Sequence, residues 1–126
     1  YGLPTDLPWG LAIDCAHRTL STSCAVVGAE TRFHPLFLYE SLSGAAGALV
    51  LPAVAVRLRR RLVPGLVGLA AVAWYAVTRL ALEGLRLENW KIAGVPTATI
   101  VMGATLLVVL AVAARRACTA KPRRRR

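Results

Sequence analysis

The stretch that decides the fold of this chain reads Trp74-Tyr-Ala-Val-Thr-Arg-Leu-Ala-Leu-Glu-Gly-Leu-Arg86. It closes an apolar run that begins near Leu66, and it contains three polar residues spaced by four, Tyr75, Arg79 and Glu83. At about 3.6 residues per turn these three side chains form one polar stripe on an otherwise apolar helix. An ionisable side chain at the centre of a bilayer costs at least about 2.5 kcal/mol, so the stripe predicts a functional site within a membrane.

The polar stripe also allows a structural role or a transport role. Arg79 and Glu83 lie one helical turn apart, and a structural ion pair between them would only hold helices together in an assembly module without catalysis of its own. A transporter or channel would instead carry polar residues across both leaflets. The inner halves of the apolar runs in this chain have none, which disfavours the transporter.

Composition points to a membrane protein. The 126 residues are 56% hydrophobic, the mean hydropathy is +0.55 and the formal net charge is +10. High hydropathy together with positive charge is ordinary for a small membrane protein with basic cytoplasmic ends. The basic residues cluster at the ends of apolar runs and not along a polar face, so we expect no nucleic-acid partner.

Three apolar runs have the length that a membrane span requires, and we predict helices over residues 35–56, 64–85 and 95–114. The predicted fold class is therefore all-α integral membrane, with about three transmembrane helices. The predicted organisation is an N-terminal extracytoplasmic loop region, a three-helix transmembrane region and a basic cytoplasmic tail, over residues 1–34, 35–114 and 115–126.

The positive charges orient these spans. Eleven basic residues lie on one predicted side of the membrane, namely Arg57, Arg59, Arg60, Arg61, Arg115, Arg116, Lys121 and Arg123 to Arg126. Four lie on the other side, namely Arg18, Arg32, Arg86 and Lys91. Because cytoplasmic loops carry the excess of Lys and Arg, we place the first loop outside and the tail inside.

This orientation places the polar residues in the outer leaflet. Arg79 lies six residues before the predicted outer end of its helix, which is about 9 Å below the boundary. Tyr39 and Glu40 begin the first helix from the same side. A guanidinium presents a planar fork that matches phosphate oxygens, and Glu83 is expected to hold that fork while Tyr75 donates a hydrogen bond to the lipid. The residues by themselves predict a site for an anionic lipid.

The cysteines of the first loop allow two interpretations. If the loop lies outside, we expect a disulfide between Cys15 and Cys24. Adding His17 and His34 would give four metal ligands, but the spacing fits no common zinc pattern, so we expect no metal ion. Cys118 lies in the basic tail and is expected to stay a reduced thiol.

Three motifs resemble those of bacterial prolipoprotein diacylglyceryl transferase. In chain order they are Tyr1-Gly-x-Pro-Thr-x-Leu-Pro-Trp-Gly10, His34-Pro-x-x-Leu-Tyr-Glu40 and Tyr75-x-x-x-Arg79-x-x-x-Glu83-x-x-Arg86. The resemblance implies an enzyme of the bacterial cytoplasmic (inner) membrane, with its active face outside and no cofactor. It moves the diacylglyceryl group of phosphatidylglycerol to the lipobox cysteine thiol beside a prolipoprotein signal peptide. A thioether forms and glycerol phosphate leaves.

The resemblance also assigns residues. Tyr75 and Arg79 match a tyrosine and an arginine that the family needs for activity. The substrate-binding positions that it implies are Gly2, His34, Tyr39, Glu40, Glu83 and Arg86.

One departure from the family matters. The family's N-terminal helices, its Gly-Arg-x-Gly-Asn signature and the upstream histidine with a catalytic role have no match in this chain. His34 belongs to a different motif and does not take the role of that histidine. We therefore expect the chain to be the C-terminal portion of the enzyme and to be inactive by itself.

Overall fold

The computed structural model describes residues 1–59, 62–87 and 89–119. Its helices are α1 (Cys24–Val27), α2 (Leu36–Leu58), α3 (Leu66–Glu83) and α4 (Thr97–Thr119). Its strands, each of two residues, are β1 (Leu11–Ala12), β2 (Arg32–Phe33), β3 (Lys91–Ile92) and β4 (Val95–Pro96). Helices α2, α3 and α4 are each long and apolar enough to cross a membrane, which confirms the predicted fold class.

The three long helices form an up-and-down arrangement in which α3 packs against both α2 and α4. The start of α2, the end of α3 and the start of α4 lie together, and we call this the polar end because it carries Glu40 and Arg79. At the opposite end, Gly65 adopts a left-handed conformation, with φ of 86°, in the turn before α3. Arg116 on α4 donates a hydrogen bond of 2.9 Å to the carbonyl of Pro64 in that turn.

The helix bounds differ most from the prediction at α4. Val95 and Pro96 pair with β3 instead of starting the helix, and the Thr97 amide donates to the Trp90 carbonyl at 2.7 Å. At its other end α4 continues to Thr119, five residues beyond the predicted end and into the predicted tail. Arginine is a good helix former and interacts favourably with a helix C-terminus, so Arg115 and Arg116 do not stop the helix. The basic residues Arg60, Arg61, Lys121 and Arg123 to Arg126 lie outside the described residues.

The N-terminal region packs around one aromatic side chain. Phe33 is fully buried, the ring of Tyr1 meets it edge-on at 4.9 Å, and the Arg18 guanidinium lies 5.0 Å from its centroid. The same guanidinium donates hydrogen bonds to four backbone carbonyls, those of Ile13, Gly28, Ala29 and Thr31. These contacts satisfy the carbonyls of a loop that has little regular structure of its own.

A disulfide joins Cys15 and Cys24, whose Cα atoms are 5.5 Å apart, which is the pairing that the sequence analysis predicts. It takes two of the four ligands that the alternative metal site would have needed. Cys118 is free and exposed.

We expect only Cys118 to react with a maleimide under non-reducing conditions, because the other two thiols are bonded to each other. Mass spectrometry of the labelled chain measures this. After reduction and unfolding, all three cysteines should label. Labelling of Cys15 or Cys24 without reductant would contradict the pairing.

The β3–β4 hairpin turns through Ala93 and Gly94, which have positive φ values of 50° and 82°. Two positive φ angles define a turn that favours asparagine followed by glycine. We expect Ala93→Asn to stabilise the hairpin by up to about 1 kcal/mol, because alanine is strained in this conformation. Slower hydrogen exchange at the Ile92 and Val95 amides in detergent would measure the gain. Gly94→Ala should have the opposite effect, and faster exchange in Ala93→Asn would refute the reasoning.

Candidate lipid-phosphate site

Glu40 joins the two arginines of the polar end. Its Oε1 accepts a hydrogen bond of 3.1 Å from Arg79 Nη1 and one of 2.6 Å from Arg86 Nη2. Glu40 lies in the second turn of α2, whereas Arg79 lies near the end of α3 and Arg86 just beyond it. One carboxylate oxygen therefore links two helices and holds two guanidinium groups close together. The cluster of these three residues carries a net charge of one positive unit.

The predicted pairing of Glu83 with Arg79 is wrong. Among the described residues, the carboxylate that contacts Arg79 is that of Glu40, and Glu83 Oε2 instead lies 3.9 Å from Arg86 Nε. The cause is the packing of the helices: Glu40 on α2 faces Arg79 across the contact between α2 and α3, whereas Glu83 is buried beside Arg86. Glu83 is only 6% exposed, and within the described part of the chain its carboxylate oxygens accept no hydrogen bond.

A groove of about 400 Å³ opens beside this cluster, between α2 and α3. Its polar lining residues lie together at the polar end, namely Glu40, Ser43, Tyr75, Thr78 and Arg79. The rest of its lining is small or apolar. Tyr75 is 60% exposed and lies on the same face of α3 as Arg79, so its hydroxyl is free to meet a ligand above the groove.

Three polar residues of the groove wall were missed by sequence reasoning. Ser43 Oγ and Thr78 Oγ1 are hydrogen-bonded at 2.7 Å across the two helices. The indole of Trp74 donates to the Ser43 carbonyl at 3.0 Å and to its hydroxyl at 3.2 Å. The spacing of four between Trp74 and Thr78 was the available signal, since it places both residues on one face of α3.

His34 and Tyr39 lie at the N-terminal end of α2, on the surface of the polar end. The Tyr39 hydroxyl accepts a hydrogen bond of 2.8 Å from the Trp9 indole and lies 3.1 Å from His34 Nδ1. This network ties the first loop to the start of α2 and therefore to the turn that carries Glu40. Neither His34 nor Tyr39 lines the groove.

Gly2 is a packing position between the ends of two helices. Its amide donates to the His34 carbonyl at 2.9 Å, and the amide of Leu3 donates to the Leu85 carbonyl at 2.8 Å. A Cβ at position 2 would lie 2.7 Å from the Leu85 carbonyl oxygen and 3.0 Å from Leu36 Cγ. Only glycine lets the backbone at position 2 lie this close to Leu85, the residue before Arg86.

The geometry defines a class of protein, a multi-pass membrane protein with an ionic cluster at one end of an apolar groove. The family model of prolipoprotein diacylglyceryl transferase matches residues 1–117, and the chain belongs to that family.

Curated relatives agree. The chain is 34% identical over 119 residues to a protein of Leifsonia xyli subsp. xyli, and the aligned region covers 88% of this chain and 34% of the relative. It is 37% identical over 101 residues to one of Gloeobacter violaceus, with 80% and 35% covered. Both relatives are named phosphatidylglycerol–prolipoprotein diacylglyceryl transferase. The chain thus spans about a third of the length of these relatives. No solved structure matches it.

We expect Gly2→Ala to destabilise the chain by about 1–3 kcal/mol, because the added methyl group overlaps the Leu85 carbonyl oxygen. Thermal unfolding in detergent micelles measures this. Gly84→Ala is the matched control, since a Cβ at position 84 meets nothing within 4 Å. Equal melting temperatures for the two variants would show that the close approach at Gly2 is unimportant.

Proposed function

We propose that this chain forms the part of a diacylglyceryl transferase that binds the phosphate of phosphatidylglycerol and stabilises its departure. One observation carries the proposal: Arg79 and Arg86 converge on a single carboxylate oxygen, at the mouth of an apolar groove between two helices of membrane-spanning length. The relatives' printed name supplies phosphatidylglycerol as the lipid and a prolipoprotein as the acceptor.

A phosphate group suits this cluster. Guanidinium groups bind phosphate oxygens bidentately, and two of them held together offer more donors than one carboxylate oxygen can accept. In the free protein the Glu40 carboxylate occupies the space between the arginines as an internal anion. A lipid phosphate can accept from the remaining N–H groups while Glu40 keeps both arginines in place. Lysine could not do the same, since an ammonium group lacks the planar fork.

The same donors would assist the reaction. The lipobox thiol gives up its proton as its sulfur forms a bond to the glyceryl carbon of the lipid. The bond from that carbon to the phosphate oxygen breaks, and the departing glycerol phosphate takes up the proton, directly or through solvent. Negative charge develops on the departing glycerol phosphate. Arg79 and Arg86 are positioned to stabilise that charge, and preorganised donors in a site with little water are effective at this. Tyr75, one turn from Arg79 on the same face of α3, would donate a further hydrogen bond.

The remaining predicted site residues have indirect roles in this proposal. His34 and Tyr39 hold the N-terminal end of α2 in place around Glu40. Gly2 lets the N-terminal residues pack beside Leu85. Glu83 lies close to Arg86 and orients it rather than Arg79. These residues would shape the binding site without contacting the reacting atoms.

We also propose that the polar end faces the outside of the bacterial cytoplasmic membrane. The disulfide between Cys15 and Cys24 lies on the loop that leads to this end, and disulfides persist in oxidising compartments. The opposite end carries Arg57, Arg59, Arg115 and Arg116, as cytoplasmic ends do. Because the chain spans about a third of its relatives' length, we expect it to lack transferase activity by itself.

A purely structural role for the cluster is the second candidate, since Glu40 already bridges two helices through ion pairs. The two candidates differ in what the loss of Arg79 does. A structural pair predicts a lower melting temperature and, in molecules that still fold, normal transfer. A phosphate site predicts lost transfer at a melting temperature close to that of the unaltered protein.

We therefore expect Arg79→Ala in the complete gene product to abolish diacylglyceryl transfer to a lipobox peptide in vesicles that contain phosphatidylglycerol. Arg79→Lys should restore at most about a hundredth of the rate, because the ammonium cannot bind the phosphate bidentately. Arg115→Ala is the matched control, because that arginine is exposed at the opposite end. Gel mobility of the peptide measures transfer. Full activity in Arg79→Ala would overturn the assignment.

A further inference from the structure

The groove between α2 and α3 has the depth of one leaflet. Its lining residues on α2 run from Glu40 to Pro52, which at about 1.5 Å per residue is about 18 Å. Half of a hydrocarbon core of about 30 Å is about 15 Å. The polar mouth and the apolar depth of the groove therefore match a lipid that lies with its phosphate at Arg79 and a hydrocarbon tail below it.

One wall of the groove is fixed by Trp74. A Cβ at Gly47 would lie 2.9 Å from Trp74 Nε1 and 3.0 Å from its Cδ1, so the indole lies directly on the backbone of α2. Both hydrogen bonds from Nε1 to Ser43 hold the ring in this position. Gly47 is buried by this contact. The indole therefore has a fixed place in the wall of the groove, which it lines together with Gly47.

The open side of the groove lies over two small residues. Gly44 and Ala48 both line it, and a Cβ at Gly44 would meet no atom within 4 Å. The small size of these residues leaves the groove continuous from the phosphate cluster to Leu51 and Val67. A larger side chain at either position would block the groove without displacing a packed neighbour.

The volume of the groove and the charge at its mouth suit a lipid. The groove holds about 400 Å³, which is at the small end of the range for ligand sites. A single hydrocarbon chain fits this space, and the arginines at the mouth give the complementary charge for an anionic headgroup.

We propose that this groove receives one acyl chain of the lipid whose phosphate Arg79 binds, and that Gly44 and Ala48 determine how long a chain the protein accepts. The inference rests on the proposed function for its headgroup and adds a determinant of acyl-chain specificity. Leu51, Pro52 and Val67 would form the closed end of the groove, where the chain terminus lies.

The test replaces the small residues one at a time in the complete gene product. Ala48→Leu blocks the groove about 12 Å below Glu40, and Gly44→Leu blocks it about 6 Å below. Gly68→Leu is the matched control, because it makes a similar change on α3 where a Cβ meets nothing within 4 Å and where the residue does not line the groove. Each variant is assayed with dioctanoyl and with dioleoyl phosphatidylglycerol, because an octanoyl chain ends above Ala48 and an oleoyl chain extends past it, and its melting temperature is measured alongside.

We expect Ala48→Leu to lower the rate with the dioleoyl lipid by about a hundredfold relative to the dioctanoyl lipid, the effect of excluding three to four methylene groups from the groove. Gly44→Leu should lower both rates, and Gly68→Leu should lower neither. An Ala48→Leu variant that folds and loses equal activity with both lipids would overturn the proposal. So would unchanged activity in both variants of the groove.

Photocrosslinking tests the acyl-chain groove separately from the transferase activity. Its first measurement uses the unaltered protein, so it does not depend on how well the variants fold. Phosphatidylglycerol with a diazirine near the end of one acyl chain should label Leu51 or Val67 in the unaltered protein, and Ala48→Leu should abolish that labelling. Labelling without any transfer would support the groove and overturn the transferase. Transfer without labelling at the groove, or crosslinks there only to another protein segment, would overturn the groove and leave the transferase standing.

Discussion

A guanidinium within a membrane needs a partner, and in this chain two of them share one. Removing a charge from water costs several kcal/mol, and here Glu40 accepts from both Arg79 and Arg86 while Glu83 lies beside Arg86. This contact also determines the geometry around it. Side chains from the start of α2, the end of α3 and the segment after α3 meet at a single carboxylate oxygen.

Two glycines permit the close approaches that surround this contact. Gly2 lets the first segment lie against the Leu85 carbonyl, next to Arg86, and Gly47 lets the Trp74 indole lie on α2. In both places a Cβ would come within 3.0 Å of another atom. The first approach lies beside Arg86, which pairs with Gly2, and the second lies in the wall of the groove. The ionic cluster and the groove are therefore parts of one arrangement of α2 against α3.

The first loop is stabilised differently from the helices. It has few regular elements, and its order depends on the Cys15–Cys24 disulfide, the buried Phe33 ring and the four carbonyl hydrogen bonds of Arg18. The Trp9 indole of this loop donates a hydrogen bond to the Tyr39 hydroxyl at the N-terminal end of α2. The loop is thus tied to the turn that carries Glu40, so its fold bears directly on the site.

Periodicity and charge were enough to predict the three membrane helices, and local spacing was enough to place Tyr75 and Arg79 on one face of α3. These properties depend on residues within a turn or two of each other, which the sequence specifies directly. The partner of Arg79 was decided only by the tertiary structure. Glu40 is thirty-nine residues away in the chain, and it becomes the partner of Arg79 because the packing of α2 against α3 brings the two side chains together, while the nearby Glu83 lies beside Arg86. The groove likewise exists only where two helices pack, so no pattern in either helix alone could show it.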